Sequence, residues 1–365
     1  MHDWLTGMRG GEHCLDVFCE LLPEATLFTL VHRPGAVSAR IESMDIRTSF
    51  VQRLPGAASF HQRYLPLFPA AVERFDLSSF DFVLSSSHCV AKGAVARAGA
   101  RHVCYCHTPM RYIWDFYDDY FANPRTGALT RAVMPGVARY LRGWDVKSAD
   151  RVHRYVANSA HVRDRIRSIY GRGAEVIHPP VNVSRFRAAR DREGFLLVLS
   201  ALVPYKRLEI ALLAARELKM PVVVAGRGPE REHLERIAGP EARFLGWVGD
   251  EEAADLLGRA RALLFPGVED FGIVPLEAMA SGCPVIAYRA GGALETVIAP
   301  GGAEAPTGLF FERQEKEAVI EALRAFRPAD YDPAALRAHA ERFDRGVFRE
   351  KIRDLLFEEE SKLGS

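Results

Sequence analysis

Two carboxylates eight positions apart carry the clearest chemistry in the chain. They are Glu269 and Glu277, in the segment FPGVEDFGIVPLEAMASGCPVIAY from Phe265 to Tyr288. The segment reads strand, loop, helix, strand. Pro275 suits a first helical turn, where its missing N–H costs nothing, and Gly282 suits the residue after the last turn. A helix is therefore predicted to start near Ile273. The amide groups from Phe271 through Gly272 and Ile273 to Val274, with the positive end of the helix dipole, make a seat for phosphate at the carboxyl edge of a parallel sheet. Glu269 can then reach a sugar beside the diphosphate, while Glu277 accepts hydrogen bonds from a ribose. The plain alternative makes Glu269 and Asp270 solvated loop charges and Glu277 a residue that only favours the helix start.

A nucleotide diphosphate gains negative charge as its bond to a sugar breaks, so its site needs cations and N–H dipoles aimed at the distal phosphate. Lys206 and Arg207, in SALVPYKRLE after an apolar run, can supply that charge. Two basic residues at a helix start are otherwise an ordinary solvated face. In AGRGPERE, Gly226, Arg227 and Gly228 let backbone come close to a ligand, or form a simple strand-to-helix turn. Near the start of the chain Gly7, Gly10 and Gly11 form a glycine loop leading into a helix, with further N–H groups for phosphates. His107 ends the apolar run HVCYCH, and Arg111, Trp114 and Asp115 follow it. An aromatic face beside a charged pair suits a sugar acceptor, although Trp114 serves equally well as core.

The elements that must position these groups alternate almost from end to end as short apolar runs and amphipathic segments, the pattern of strand–helix units around a mostly parallel sheet. The fold class is α/β. Strands are expected at 26–31, 80–87, 102–107 and 154–159, with helices at 11–22, 90–98, 131–148 and 160–170. The two adjacent prolines in EVIHPPVNVSRF interrupt this rhythm and mark a connection between domains. A second series runs from GFLLVLS at 194–200 through 221–226, 242–248, 260–267 and 283–288 to GLFFE at 308–312. The expected division is therefore a first domain over 1–183 and a second over 184–343. No helix of the second series is needed after about Phe326, so the segment from Ala334 onward is free to fold back, and 344–365 is expected to return to the first domain. Only Met1 to Leu5 precede the glycine loop, so the strand that should lead into it is either very short or begun late.

Composition narrows the reading further. The chain has 365 residues, 48% hydrophobic and 26% charged, which excludes disordered and collagen-like classes and suggests two cores. No run of eighteen apolar residues and no signal peptide is evident, so a cytoplasmic location is expected, with the six cysteines as reduced thiols. The formal charge of +1 hides a polarity: residues 1–183 hold 22 Lys and Arg against 17 Asp and Glu, and residues 184–365 hold 26 against 30. Ten of the twelve histidines also lie in the first half, so the two domains should serve different ligands. Neither half carries the dense basic stripe that nucleic-acid binding requires.

The combination of Glu269 to Glu277 with Gly291, Gly292 and Glu295, and with the basic pair Lys206 and Arg207, resembles the family-4 retaining glycosyltransferases. HDWLTGMRGGE and CYCHTPMRYIWD in the first half are similar to members that build surface polysaccharides, several of them mannosyltransferases. The resemblance implies a GT-B architecture, two Rossmann-like domains facing each other across a cleft. It implies a donor-sugar role for His107, catalytic roles for Lys206, Arg207 and Glu269, and contact between the donor base and backbone groups around Trp247 and Val248. The Trp247 segment is otherwise a packed strand end. The implied donor is a nucleotide-diphosphate sugar, GDP-mannose first and UDP-linked sugars next. The implied acceptor is a glycan or a polyprenyl-diphosphate-linked hydroxyl.

No carboxylate pair is arranged for double displacement, so a same-face substitution fits retention better. Neither a cofactor nor a metal is implied, since Lys, Arg and dipoles neutralise the phosphates. A dinucleotide-dependent oxidoreductase is disfavoured because neither glycine segment reads G-x-G-x-x-G. A sugar-nucleotide 2-epimerase and a non-catalytic sugar-nucleotide-binding protein stay open as alternatives. The stretch 60–75, FHQRYLPLFPAAVERF, mixes aromatic, apolar and basic side chains and either rests on the anionic inner face of the cell membrane or packs internally.

Overall fold

The computed structural model describes residues 1–122, 127–187 and 192–363. The chain divides into two compact units, Met1–Pro180 with Phe348–Ser365, and Val181–Val347. The first division falls slightly earlier than 183 because Val181 and Val183 are buried in the second core and Val181 exchanges backbone hydrogen bonds with Phe343 and Arg345.

Twelve strands carry the fold among the described residues: β1 Thr26–Thr29, β2 Asp45–Thr48, β3 Phe82–Ser87, β4 Arg101–Cys106, β5 Arg154–Ala157 and β6 Ala174–Val176 in the first unit, then β7 Leu196–Leu199, β8 Val222–Ala225, β9 Ala242–Gly246, β10 Ala262–Phe265, β11 Val285–Tyr288 and β12 Gly308–Phe311 in the second. Every pairing is parallel. The near-continuous apolar runs of β10 and β7 follow from this, because helices cover both faces of a parallel sheet. The second sheet runs β12-β11-β10-β7-β8-β9. In the first unit β1 pairs with β2, and β3-β4-β5-β6 form a second ladder. Parallel bridges from His2 to Thr29 and Ser86, and from Leu5 to His32, set the short segment His2–Leu5 between β1 and β3. Residues 2–5 thus occupy the place of the strand leading into the glycine loop.

Two expected elements are overturned by tertiary contacts. The helix expected at 90–98 is a single tight turn at Ala91–Gly93. Lys92 is drawn inward there, its Nζ 3.1 Å from Asp145 Oδ1 and within hydrogen-bond reach of the Asp145 carbonyl and Ser148 Oγ. The segment from Ala334 does not leave the second unit at once: helix Pro333–Glu341 packs on helix Ile273–Ala280 and buries Leu336 and Ala340 in the second core. The following helix, Arg345–Leu363, carries Phe348, Ile352 and Leu355 into a core of the first unit with Phe18 and Tyr105. Residues 364 and 365 of the expected returning segment lie outside the described residues.

The Lys92–Asp145 pair is almost fully buried. Asp145 Oδ2 also accepts from Trp114 Nε1 at 2.9 Å and from the Tyr170 hydroxyl at 2.9 Å, so one carboxylate ties together helices Arg111–Trp114, Ala128–Ser148 and Ala160–Tyr170. Removing one partner leaves the other charge buried without compensation. Asp145→Asn should therefore cost the first unit about 3–5 kcal/mol in urea unfolding followed by tryptophan fluorescence, and Lys92→Met added to it should recover part of that loss. An Asp145→Asn protein as stable as the wild type would show that the pair contributes nothing.

Candidate functional site

The order of the second sheet reverses at β7, with β8 on one side and β10 on the other. Loops leaving these strands part at such a switch point and open a crevice at the carboxyl edge. Lys206 lies on the loop after β7 and Glu269 on the loop after β10, and the two are joined by a partly buried ion pair. The approach is set by backbone: a side chain at Gly267 would stand 3.0 Å from Lys206 Cα. Arg207 begins the next helix, half-exposed, with Nη1 3.6 Å from Glu209 Oε1. Lys206 and Glu269 are therefore brought together, and Arg207 stands beside them with its own carboxylate.

Helix Ile273–Ala280 starts directly after this loop, capped by Gly272. Its first turn leaves amide groups without intrahelical acceptors at the carboxyl edge. The loop is held by Gly292, whose N–H donates to the Glu269 carbonyl at 2.8 Å. A Cβ at Gly292 would lie 2.2 Å from the Phe271 backbone, so only glycine allows this contact. Ile273 and Val274 are partly buried against the core. The Phe271 side chain is in the core, 5.8 Å from Phe343, which leaves the expectation for its amide group unaffected.

Glu277 projects from the second turn of the helix, and its carboxylate has no hydrogen-bond partner among the described residues. Burial, reinforced by Asp250 and opposed by Arg185, pushes its pKa up to about 7. An unpaired carboxylate in a desolvated position is a poor stabiliser of a fold and a good acceptor for a ligand's hydroxyl groups.

The glycines of the turn after β8 have a different reason from the one expected. A Cβ on Gly226 would overlap the Ser200 carbonyl, at 1.8 Å, and one on Gly228 the Leu202 carbonyl, at 2.1 Å. Their bareness is required by the packing of one loop on another. Between them Arg227 is exposed, its guanidinium 5.9 Å from the Trp247 ring centroid. Trp247 is 65% exposed, which excludes a packed strand end, while Val248 leans on the core.

In the first unit the corresponding edge lies where the segment His2–Leu5 and β3 part. Gly10 and Gly11 form the first helical turn rather than a loop, and Glu12 Oε2 accepts from the Arg9 N–H at 3.0 Å to cap it. Gly11 packs beside the rings of His2 and His107. His107 Nε2 is 2.8 Å from Ser86 Oγ. Burial, with the charges of His88 and His2, lowers the His107 pKa well below the usual imidazole value, so the ring is neutral. Asp3 was not singled out from the sequence, yet its buried carboxylate accepts from the amides of His88, Cys89, Val90 and Ala91 at 2.7–2.9 Å and shapes the loop after β3. His2, Ser86 and His88 were missed as well. For Ser86 and His88 the signal was polar residues closing an apolar run at the carboxyl edge; His2 and Asp3 precede theirs and gave no such signal.

The residues expected to hold an acceptor are mostly engaged within the unit. Trp114 donates to Asp145, Asp115 is paired with Arg165, and Arg111 lies 5.1 Å from the Phe116 ring. These contacts tie short helices together, and Asp115 stays exposed. The stretch 60–75 splits in two: Phe68, Pro69, Ala71 and Val72 are buried, whereas Phe60 and Leu67 are 53% and 41% exposed. Among the described residues no helix is long and apolar enough to cross a membrane.

Comparison with known proteins agrees with this arrangement. A family model described as Glycosyltransferase Family 4 matches residues 10–185, and one described as Glycosyl transferases group 1 matches residues 182–340. The mouse alpha-1,3/1,6-mannosyltransferase ALG2 is 28% identical over 267 residues, 62% of this chain and 60% of that protein. The GDP-mannose-dependent alpha-(1-6)-phosphatidylinositol monomannoside mannosyltransferase of Mycolicibacterium smegmatis is 30% identical over 197 residues, 45% of this chain and 50% of that protein. The chain thus matches about 60% or less of the length of these relatives. Among solved structures, sucrose-phosphate synthase from Thermosynechococcus elongatus superposes with a TM-score of 0.71 at 16% identity, covering 99% of both chains. Anabaena HepE in complex with UDP and glucose gives 0.66 at 18%, covering 97% of this chain and 98% of its own. With one family model on each unit and a GT-B backbone along nearly its whole length, the chain belongs to the family-4, or group 1, glycosyltransferases.

Proposed function

We propose that the protein transfers a hexose, with retention of configuration, from a nucleoside-diphosphate sugar to a hydroxyl of a glycan or lipid-linked acceptor. The observation that carries this reading is the convergence of Lys206, Glu269, Glu277 and the first turn of helix Ile273–Ala280 at the switch point of the second sheet. Lys206, with Arg207 and the helix amides, neutralises the charge that grows on the departing phosphate. That phosphate takes the acceptor hydroxyl's proton as the hydroxyl attacks from the face it leaves. Glu269, oriented by Lys206, contacts the transferred sugar, and His107 takes the donor-sugar role that the family resemblance implies. Trp247 and Val248 serve the base. Cationic side chains do the work that a divalent ion does elsewhere, so the reaction proceeds in EDTA. Mannose from GDP-mannose is the preferred donor, supported by the mannosyltransferases among the relatives, with UDP-sugars next.

A thermal-shift panel of GDP, UDP, ADP and dTDP in EDTA identifies the base, since binding to the folded state alone raises the melting temperature. A panel without any shift would remove the nucleotide site. For the preferred nucleotide, Glu277→Ala should lose about 1.5–3 kcal/mol of calorimetric binding energy, the worth of a hydrogen bond to a charged group. Because the Glu277 pKa stands at about 7 and its ionised form is the acceptor, affinity should fall as pH drops from 8 to 6. Glu277→Gln should flatten the part of that slope not due to the nucleotide's own protonation. An identical slope in the variant would exclude this residue.

The basic pair should behave differently. Lys206→Ala combined with Arg207→Ala should lower kcat more than it raises the donor's KM, because leaving-group charge is greatest in the transition state. A change in KM alone would assign the pair to ground-state binding.

The acceptor side carries a separate expectation. Phe60 and Leu67 are exposed beside Arg63, whose guanidinium lies 4.7 Å from the Phe60 ring centroid, a surface suited to an anionic bilayer. Phe60→Ser with Leu67→Ser should reduce co-sedimentation with anionic vesicles without altering the melting temperature, and wild-type binding should weaken with salt. Equal recovery of the wild type with and without vesicles would point to a soluble acceptor.

A further inference from the structure

Three imidazoles meet at the carboxyl edge of the first sheet, and the reading above uses one of them. The ring centroids of His2, His88 and His107 lie 6.0–6.5 Å apart. His88 is engaged separately, its Nδ1 3.1 Å from Asp3 Oδ2. The other two are linked in a line. Glu12 Oε1 is 3.5 Å from His2 Nε2, His2 Nδ1 is 3.0 Å from Ser86 Oγ, and Ser86 Oγ is 2.8 Å from His107 Nε2. Glu12, His2 and Ser86 are each at most 3% exposed, so water does not compete for these partners.

The proton inventory of this line runs in one direction. The first contact, between Glu12 and His2, is an ion-pair distance and not a formed hydrogen bond, but an ionised carboxylate only accepts, so Glu12 beside Nε2 favours the His2 tautomer with its proton there. In that tautomer Nδ1 is bare and accepts the Ser86 hydroxyl proton. Ser86 has one proton and has spent it, so its oxygen accepts from His107 Nε2–H. His107 is left with a bare Nδ1, which has no hydrogen-bond partner among the described residues. Burial raises the Glu12 pKa, but the neighbouring imidazoles and the helix-start amides outweigh it and hold it at about 2, so the starting carboxylate is ionised. A doubly protonated His2 would donate from both nitrogens and release the Ser86 proton for His107 Nε2, reversing the last link.

We propose that Glu12, His2 and Ser86 are positioning residues that fix His107 in its Nε2–H tautomer and present Nδ1 as an acceptor for a hydroxyl of the transferred sugar. This rests on the reading that His107 meets that sugar. The tautomer itself can be tested without substrate. In protein with 15N-labelled histidine, long-range proton–nitrogen NMR, assigned with His107→Gln, should show the His107 proton on Nε2. Ser86→Ala and Glu12→Gln should each convert this to a mixture of tautomers, while Ser86→Thr keeps it. In turnover, Ser86→Ala should lower kcat about tenfold, the worth of one net hydrogen bond, with the donor's KM little changed, and Ser86→Thr should restore most of the loss. A wild-type His107 proton on Nδ1, or a tautomer indifferent to both Ser86→Ala and Glu12→Gln, would overturn the relay. Unchanged turnover in His107→Gln, with the tautomer shifts present, would leave the relay standing and remove His107 from the sugar site.

Discussion

Two parallel strands whose onward connections run to opposite sides of a sheet leave a gap at their carboxyl ends, and the chemistry of this protein collects there. In the second unit the gap lies between β7 and β10. The loops that border it meet at the backbone of Gly267 and Lys206 and are joined by the Lys206–Glu269 ion pair. It also orients both groups, since a lysine held by a carboxylate has few other positions for its ammonium. Gly267 and Gly292 supply the rest of the constraint by letting backbone touch backbone.

The first unit meets the same constraint with different chemistry. There the gap opens between the segment His2–Leu5 and β3, and Asp3 bridges it by accepting four successive amides from the loop beyond. One buried carboxylate thus shapes the loop that carries His88 and sets the frame around Ser86 and His107. A second buried carboxylate, Asp145, does the corresponding work among the helices and holds Lys92 away from the path of a regular helix. The returning helix Arg345–Leu363 is fastened in the same manner, because Glu359 takes hydrogen bonds from Arg101 and Arg154 at the ends of β4 and β5.

Carboxylates in the two units also show how surroundings decide ionisation. Glu12 is buried with an imidazole and a backbone amide and is held at about 2, whereas Glu277 is partly buried without a hydrogen-bond partner among the described residues and is pushed up to about 7. Desolvation acts on both, and only the partnered group overcomes it. The first is built to stay charged within the fold and the second to gain its partner from a ligand.

What the sequence by itself determined is the layout: two series of strands and helices, the helix that begins at Ile273, the positions of Lys206, Arg207, Glu269 and Glu277 on loops and first turns, and the family. These are local matters of apolar period, proline and glycine placement and short spacing, all legible along the chain. What only the tertiary structure decided is which side chains meet. That Gly226 and Gly228 yield to the backbone of Ser200 and Leu202, that Trp114 and Asp115 are engaged inside their unit, and that Phe68 is core while Leu67 is exposed depend on neighbours distant in sequence. The same holds for the line from Glu12 to His107, whose members come from the first turn of a helix, a strand of bridges and the ends of β3 and β4. Parallel sheets make every strand neighbour a long-range one, so the chemistry at their carboxyl edge is assembled by pairing order, and no local pattern of residues records that order.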